Sequence, residues 1–412
     1  MNENMLYPPK NGAERDVSAN VDASCFEDRK KALEAAGYTP YFNASIGENL
    51  FAGYQKNGQS IYFYYLAARR ELRELRERYV PLPVYELSEK VCDTSLWHIG
   101  YDFRHNGYNT EGKPVTLKIS GQGEVFVLED GSYIIIDGGI YNTDAQAGLT
   151  RMYEWLRDNN RRRDGKIVIA AWLITHVHND HCNLFELFSQ KYGKNENVEV
   201  KYFVYNYPIA NQMLTYKAGL CGNDINDIDR VFGYIFDNYY DRPPVVFIPR
   251  TGQRLHLGNW TVEILSTYDN LDEDTYDKTS HGWTNDLGMP FLFLANEGQA
   301  DEVRILFLGD IYATTSNLLV ELYGDYLRCP MVQAAHHGYK DGGSELLYQT
   351  VRAEHVLWTN SLIVWNQTKY VPSWLRSANE NVVAYPQCNE DKTLCDWFFT
   401  FEDGKIQVKK QI

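Results

Sequence analysis

A chain of 412 residues with 44% apolar and 23% charged side chains has the balance of a folded globular protein, long enough for a large core or two domains. Its formal net charge of -15 argues against wrapping duplex DNA, because that affinity comes from phosphate neutralisation by Lys and Arg. No apolar run reaches the roughly 18 residues of a membrane-spanning helix, "MNENMLYPPKNGAERD" lacks the apolar core of a signal peptide, and seven cysteines without a CxxC spacing argue against a disulfide framework. A reducing, cytoplasmic setting without a membrane partner is the expectation.

Residues 1–24 are polar, carry Pro8-Pro9 and read as an arm. "FEDRKKALEAAG", residues 26–37, reads as a helix stopped by Gly37. In "NLFAGYQKNGQSIYFYY", Asn57-Gly58 separates two aromatic runs, the signal of a β-hairpin. The next stretch, "LAARRELRELRERY", fits a helical period through Leu72, Leu75 and Tyr79 and fits a third strand as well. The run Tyr62, Phe63, Tyr64, Tyr65 reads as one buried sheet face plus one amphipathic face rather than a ligand-stacking strip. These pieces predict a small α+β domain of unassigned role over residues 25–112.

From residue 113 the texture changes. "VTLKIS", "EVFVLE" and "SYIIID" are short β-rich segments, followed by a helix near 144–160 and the apolar strand "KIVIAAWLI". Then come "VKYFVY", a helix pair around 208–238, and the strands "VVFIP", "WTVEILS", "PFLFLA" and "RILFLGD". Helices near 314–326 and 343–352 bracket "MVQAAHHG", and the chain ends in "WFFTFE" and "KIQVKK". Strand clusters each followed by helices predict an α/β fold, two mixed sheets with helices outside, over residues 113–412. The run Arg161-Arg162-Arg163 reads as the cationic end of a helix.

The chemistry concentrates in "THVHNDHCN" at the end of the apolar strand. His176 and His178, at i and i+2 on an extended segment, aim one way. Asp180 and His181 follow at a helix start and face a second point, so the four suit two neighbouring cations. Imidazole with carboxylate favours zinc, with manganese or iron as alternatives. Cys182 reads as packing. "RILFLGD" delivers Asp310 to the end of a strand, where a carboxylate can bridge two metals, and "MVQAAHHG" delivers His336 and His337 to the end of another. His98, His105 and His355 read as structural or solvated, and His256 as a strand residue.

The order HxHxDH, strand-GD, strand-HHG resembles the metallo-β-lactamase fold superfamily, and within it the competence-protein (ComEC-type) branch, which carries a similar "ND" segment (here Asn285, Asp286). "GEVFVLEDGSYIIIDGG" is similar to that family's first strands and places Asp137 at a strand end. The resemblance implies a four-layer αββα sandwich. It also implies that His176 and His178 hold one metal, that Asp180, His181 and His336 hold a second, and that Asp310 bridges them. His337 then becomes a group behind the ligands or facing substrate, as do Tyr339, Lys340, Asp137 and Asn285. A third histidine for the first metal has no clear match, and His281 is the candidate. "DHCNL" stands where the family has "DHxGG".

Two adjacent divalent cations ionise a bridging water near neutral pH, and their net positive charge suits an anionic substrate. The expectation is a metal-dependent hydrolase with a metal-bridged hydroxide, Asp180 and Asp310 taking part in catalysis. The substrate expected is a small or single-stranded phosphodiester, with Lys340 and Tyr339, and more weakly Lys369 and Tyr370, toward phosphate. Hydrolysis of a lactone, lactam or thioester on the same centre is the alternative, and a non-catalytic binding protein on this fold is the third reading.

Overall fold

The computed structural model describes residues 14–100, 105–108, 114–118, 121–139, 145–207, 237–238, 242–270, 283–367, 369–390 and 393–411. The expected helix pair around 208–238 and His281 lie outside these residues, apart from a helical pair of residues at 237–238.

Five strands, β1 (Glu14–Ser18), β2 (Thr39–Ile46), β3 (Asn49–Lys56), β4 (Gln59–Leu66) and β5 (Glu71–Arg78), form an antiparallel sheet in the order β1-β5-β4-β3-β2. The hairpin at Asn57-Gly58 has both residues at positive φ, 52° and 77°, as a tight turn matched to the strand twist requires. Helix α1 (Ser24–Ala35) lays Phe26 and Leu33 on one face of the sheet, against Tyr54, Phe63 and Tyr65. The other face carries Phe51, Tyr62 and Tyr64 into the main core, beside Leu265, Tyr268 and Tyr323. Both faces of "YFYY" are therefore buried, not one, because a layer covers each side of the sheet. The ambiguous segment is strand β5. Its charged residues stay paired within the structure, Glu74 with Arg29 and Arg76, and Arg73 with Glu71.

The remaining strands are, in chain order, β6 (Val84–Tyr85), β7 (Ser95–His98), β8 (His105–Tyr108), β9 (Pro114–Lys118), β10 (Gly123–Val127), β11 (Tyr133–Asp137), β12 (Ile167–Ile174), β13 (Val198–Tyr205) and β14 (Val245–Phe247). They continue as β15 (Arg254–Leu257), β16 (Trp260–Ile264), β17 (Phe291–Ala295), β18 (Val303–Phe307), β19 (Met331–Gln333), β20 (His355–Ser361), β21 (Val383–Cys388), β22 (Asp396–Glu402) and β23 (Lys405–Gln411). One eight-stranded sheet has the order β14-β13-β12-β11-β10-β7-β22-β23 and the other β21-β20-β19-β18-β17-β16-β15-β6, while β8 and β9 pair separately.

The two large sheets face each other across an apolar layer that includes Phe126, Leu173, Trp260, Phe293, Phe307 and Tyr385. Helices α2 (Ala145–Asp158) and α3 (Asn179–Tyr192) bury Leu149, Met152, Phe185 and Phe188 together with the outward residues of β12. The helices Ala313–Tyr323, Glu345–Val351 and Val371–Ala378 bury Leu319, Leu347 and Val371 alongside Leu306, Val332 and Val356 of the second sheet. The result is the expected helix–sheet–sheet–helix sandwich.

Three details depart from the sequence reading. Residues 14–18 of the expected arm form β1 and pair with β5. Short strands on the N-terminal side of residue 113 enter the large sheets: β7 lies between β10 and β22, and β6 pairs with β15. The three arginines follow α2 rather than ending it, and two of them meet carboxylates, Arg162 on Asp130 and Asp164 and Arg163 on Glu89.

Candidate metal centre

Strand β12 is buried along its whole length and runs parallel to both β11 and β13, which explains its unbroken apolar sequence. After Thr175 the chain leaves the sheet. Val177 packs into the core, while His176 and His178 turn toward each other, Nε2 to Nδ1 at 2.9 Å. His178 is the residue before α3, so Asp180 and His181 fall in the first helical turn, where a carboxylate complements the helix dipole. The loop after β11 presses against this turn. A Cβ on Gly139 would lie 2.0 Å from the carbonyl carbon of Asp180, so only glycine fits.

The second sheet delivers the other donors. Asp310 follows β18 and is 2% exposed; it does not cap the following helix but points into the histidines. Its Oδ1 lies 3.2 Å from His181 Nε2, and its Oδ2 lies 3.8 Å from His176 Nε2 and 3.5 Å from His337 Nε2. His337 Nε2 is also 3.3 Å from Asp180 Oδ2. Two groups of donors emerge, His176 with His178 and Asp310, and Asp180 with His181 and His337, the ligand atoms in each lying within 4.8 Å of one another. Asp310 thus supplies the third donor to the first group and faces the second.

One expected ligand is corrected. His337, not His336, turns into the cluster. Both residues adopt left-handed backbone, φ 46° and 51°, in the turn after β19, and it is this turn that carries the two imidazoles to different places. His336 is at the rim, with Nε2 4.0 Å from Asp310 Oδ2 and Nδ1 2.9 Å from Asp341 Oδ1. The turn is fixed from below, because a Cβ on Gly338 would meet the Trp358 ring at 1.8 Å.

Other expected residues fall around this core. Asp137 stands directly behind His181, accepting from Nδ1 at 2.8 Å, and is itself held by the Thr175 N–H and hydroxyl at 2.7 and 2.8 Å. Such a carboxylate fixes the imidazole tautomer and turns Nε2 toward the centre. The Tyr339 ring packs 5.5 Å from that of His336, and burial pushes its phenol up to about 12. Lys340 is exposed beside it. Asn285 is buried near the Tyr312 phenol, and Asp286 accepts from the backbone of Tyr312 and Thr315. Lys369 and Tyr370 are exposed, His256 is a strand residue, and Cys182 donates to the Val177 carbonyl and so packs rather than ligates. Asp341, Thr175 and Tyr312 escaped the sequence reading. Only Asp341, four residues beyond His337 and followed by Gly342-Gly343, left a signal that could have been read.

Carboxylates and imidazoles act on one another within the cluster. Burial works to raise the Asp310 carboxyl, but the imidazoles of His181 and His337 outweigh it and hold it well below the usual carboxylate range. Burial works to lower His181, but Asp310 and Asp137 outweigh it and raise it well above an ordinary imidazole. Burial, with His181 and His178 nearby, pushes His176 well down. Among the described residues, several buried atoms nonetheless lack an aligned hydrogen bond: His181 Nε2, Asp310 Oδ1 and both ring nitrogens of His337. Buried polar atoms left this way are costly, about 1–3 kcal/mol each. A divalent cation in each group would satisfy His181 Nε2, Asp310 Oδ1 and one ring nitrogen of His337, and a donor set of imidazole and carboxylate without thiolate fits such ions.

No family model matches the chain, and no curated protein does. Solved structures similar to it include the metallo-β-lactamase-fold protein YhfI from Bacillus subtilis, at 12% identity and TM-score 0.35 over 74% of this chain and 100% of that one. The metallo-β-lactamase MIM-1 from Novosphingobium pentaromativorans is similar at 12% identity and TM-score 0.29, over 64% of this chain and 86% of that one. CmlA, a diiron β-hydroxylase from Streptomyces venezuelae, is similar at 13% identity and TM-score 0.32 over 68% of this chain, which spans 45% of it. Among the described residues no helix is long and apolar enough to cross a membrane.

Proposed function

We propose that the chain is a metal-dependent hydrolase that cleaves a small or single-stranded phosphodiester at a dinuclear centre. One observation carries this reading: six His and Asp side chains from three separate segments converge as two donor groups, with Asp310 facing both. His176, His178 and Asp310 would hold one ion, and Asp180, His181 and His337 the other, with zinc first and manganese or iron as alternatives. When bound, the two ions would polarise the ester oxygen and lower the pKa of water.

The chain's own residues supply the rest. Asp137, anchored on Thr175, keeps the His181 ring oriented and its Nδ1 proton in place. Asp310 lies where it can accept a hydrogen bond from the attacking water while facing both groups. His336, with its side chain 21% exposed and paired to Asp341, stands at the opening and is placed to donate to a substrate oxygen. Lys340 beside it offers a charge to an anionic ester on a protein that is otherwise acidic. The motif order that resembles the competence-protein branch agrees with a phosphodiester, and a small anionic ester fits better than duplex nucleic acid as partner.

The test is hydrolysis of bis-p-nitrophenyl phosphate by protein reconstituted with zinc or manganese, beside a panel of lactones, lactams and thioesters. The phosphodiester should be turned over with the highest kcat/KM. Faster turnover of a carbon ester would replace the substrate assignment, and a fully metal-loaded protein inert on the whole panel would remove the hydrolase reading.

A further inference from the structure

The layer between the two large sheets is apolar until its last row at the metal end. On β7, β10, β20 and β21 the inward residues Leu96, Phe126, Leu357 and Tyr385 belong to one apolar cluster. Two residues nearer the metal end of each strand, the inward positions become His98, Glu124, Thr359 and Gln387, with Gln122 two further on from Glu124, and all five are buried. His98 ties the sheets together, its Nδ1 3.2 Å from Glu124 Oε1 and its Nε2 3.4 Å from the Trp358 carbonyl. The rest is unpaired: among the described residues, both amide atoms of Gln122 and of Gln387, Glu124 Oε2 and Thr359 Oγ1 have no hydrogen-bond partner.

A well-packed sandwich does not leave four buried side chains from both sheets with unpaired polar atoms unless something hydrogen-bonds them. The free groups include both donors and acceptors, which suits small uncharged hydrogen-bonding molecules and disfavours an anion beside Glu124. Ordered water meets that description, in the multi-partner setting that buried water needs.

The row also adjoins the metal centre. The Gln122 N–H donates to the Asp180 carbonyl at 3.0 Å, and its carbonyl accepts from Gly139 at 3.1 Å. Gly123 pairs with Asp137 in the ladder, and the Glu124 carboxyl feels the charges of Asp137 and His181.

We propose that this row is an internal water-binding chamber through which Glu124 exchanges a proton with the metal centre. The role rests on the hydrolase reading above; the water site does not. In hydrolysis, attack by water breaks one O–H bond and the ester P–O bond and forms one new P–O bond. Chamber water carries the freed proton to the Glu124 carboxylate, and it returns by the same route to the leaving oxygen, so the balance over a turnover is closed. The titratable groups facing Glu124 are His98 from β7, Asp137 from β11 and His181 from α3; Thr359 of β20 and Gln387 of β21 do not titrate. Burial raises the Glu124 carboxyl above its ordinary range against the opposing pull of His98, which is the state of a group that can take up a proton.

Three measurements test this. A high-resolution crystal structure should show ordered water bonded to Gln122, Glu124, Thr359 and Gln387; a dry chamber overturns the proposal. Infrared titration of the Glu124 carboxyl, identified by its loss in Glu124→Gln, should show its midpoint falling when zinc is added; an unmoved midpoint also overturns it. Zinc-loaded Glu124→Gln should keep the metal content of the parent, lose at least tenfold in kcat with little change in KM, and change the pH profile. If that variant does not fold, Gln122→Met should lower kcat with Glu124 intact. An unchanged kcat and pH profile in whichever variant folds contradicts the proton route. If zinc-loaded parent protein hydrolyses no ester, the hydrolase reading fails while the water and infrared results still judge the chamber.

Discussion

The two adjacent histidines of "HHG" have opposite fates, and a left-handed backbone at both decides which is which. Holding a non-glycine residue there costs roughly 1–2 kcal/mol, a strain the turn sustains because Gly338 and Trp358 leave no room to relax. His337→Ala should therefore lose one equivalent of bound metal, while His336→Ala retains both; elemental analysis of the two purified variants checks this. Asp137→Asn leaves the ligands in place but loosens the His181 ring, so metal affinity should fall by about 10–100-fold, read by chelator competition. That His176, His178, Asp180, His181, Asp310 and Asp137 sit at strand ends or a helix start was legible, because apolar patterning reveals those ends. The choice between His336 and His337 was not, because it depends on two dihedral angles that no pattern encodes. The polar row behind the centre was equally hidden, since Glu124, Thr359 and Gln387 come together only after non-sequential strands pair.

Among the elements, the N-terminal sheet is tied to the sandwich by buried polar contacts as well as by its tyrosines. Arg250 lies between Asp269 and Glu77, at 2.5 and 2.6 Å, and Tyr62 and Tyr64 donate to the Thr251 carbonyl and to Asn270. Removing one partner strands the buried carboxylates, so Arg250→Met should cost about 3–5 kcal/mol, seen as a lower urea midpoint. The strand β6 is anchored differently, with Tyr85, Ser88, Ser132 and Arg162 all meeting the Asp130 carboxylate. Burial would raise that carboxyl, yet the Ser132 hydroxyl and N–H, Tyr85 and Ser88 together hold it below its ordinary value. The stabilisation is therefore complete above the unfolded carboxylate value of about 3.9 and is lost as pH falls through the lower folded value. Acid unfolding of Asp130→Asn should accordingly show a shallower dependence on pH below that point than the parent. β5 illustrates why this sheet was half legible. Leu72, Leu75 and Tyr79 satisfy a helical period, and only the pairing of Arg73 and Glu74 with other elements makes a strand of so charged a segment.

At the scale of the molecule, the sandwich brings the ends of β11, β12, β18 and β19 to one edge, and every candidate ligand comes from a loop or helix start beyond them. Strands from two sheets are needed, so the centre exists only when the sheets are face to face. Metal binding should consequently stabilise the whole fold rather than one loop, in proportion to the logarithm of free metal over its dissociation constant. Alternating apolar strands and helices made this architecture readable from residue 113 onward. Short strands such as "SLWH" at β7 were not readable, because four residues carry too little pattern to announce a place in an eight-stranded sheet. The most direct measurement is the zinc stoichiometry of metal-free protein titrated with zinc and followed by calorimetry and elemental analysis. Two ions per chain in the parent, with a marked loss in Asp310→Asn because its carboxylate faces both groups, is the expected result. No bound zinc, or binding indifferent to Asp310, would contradict the dinuclear centre.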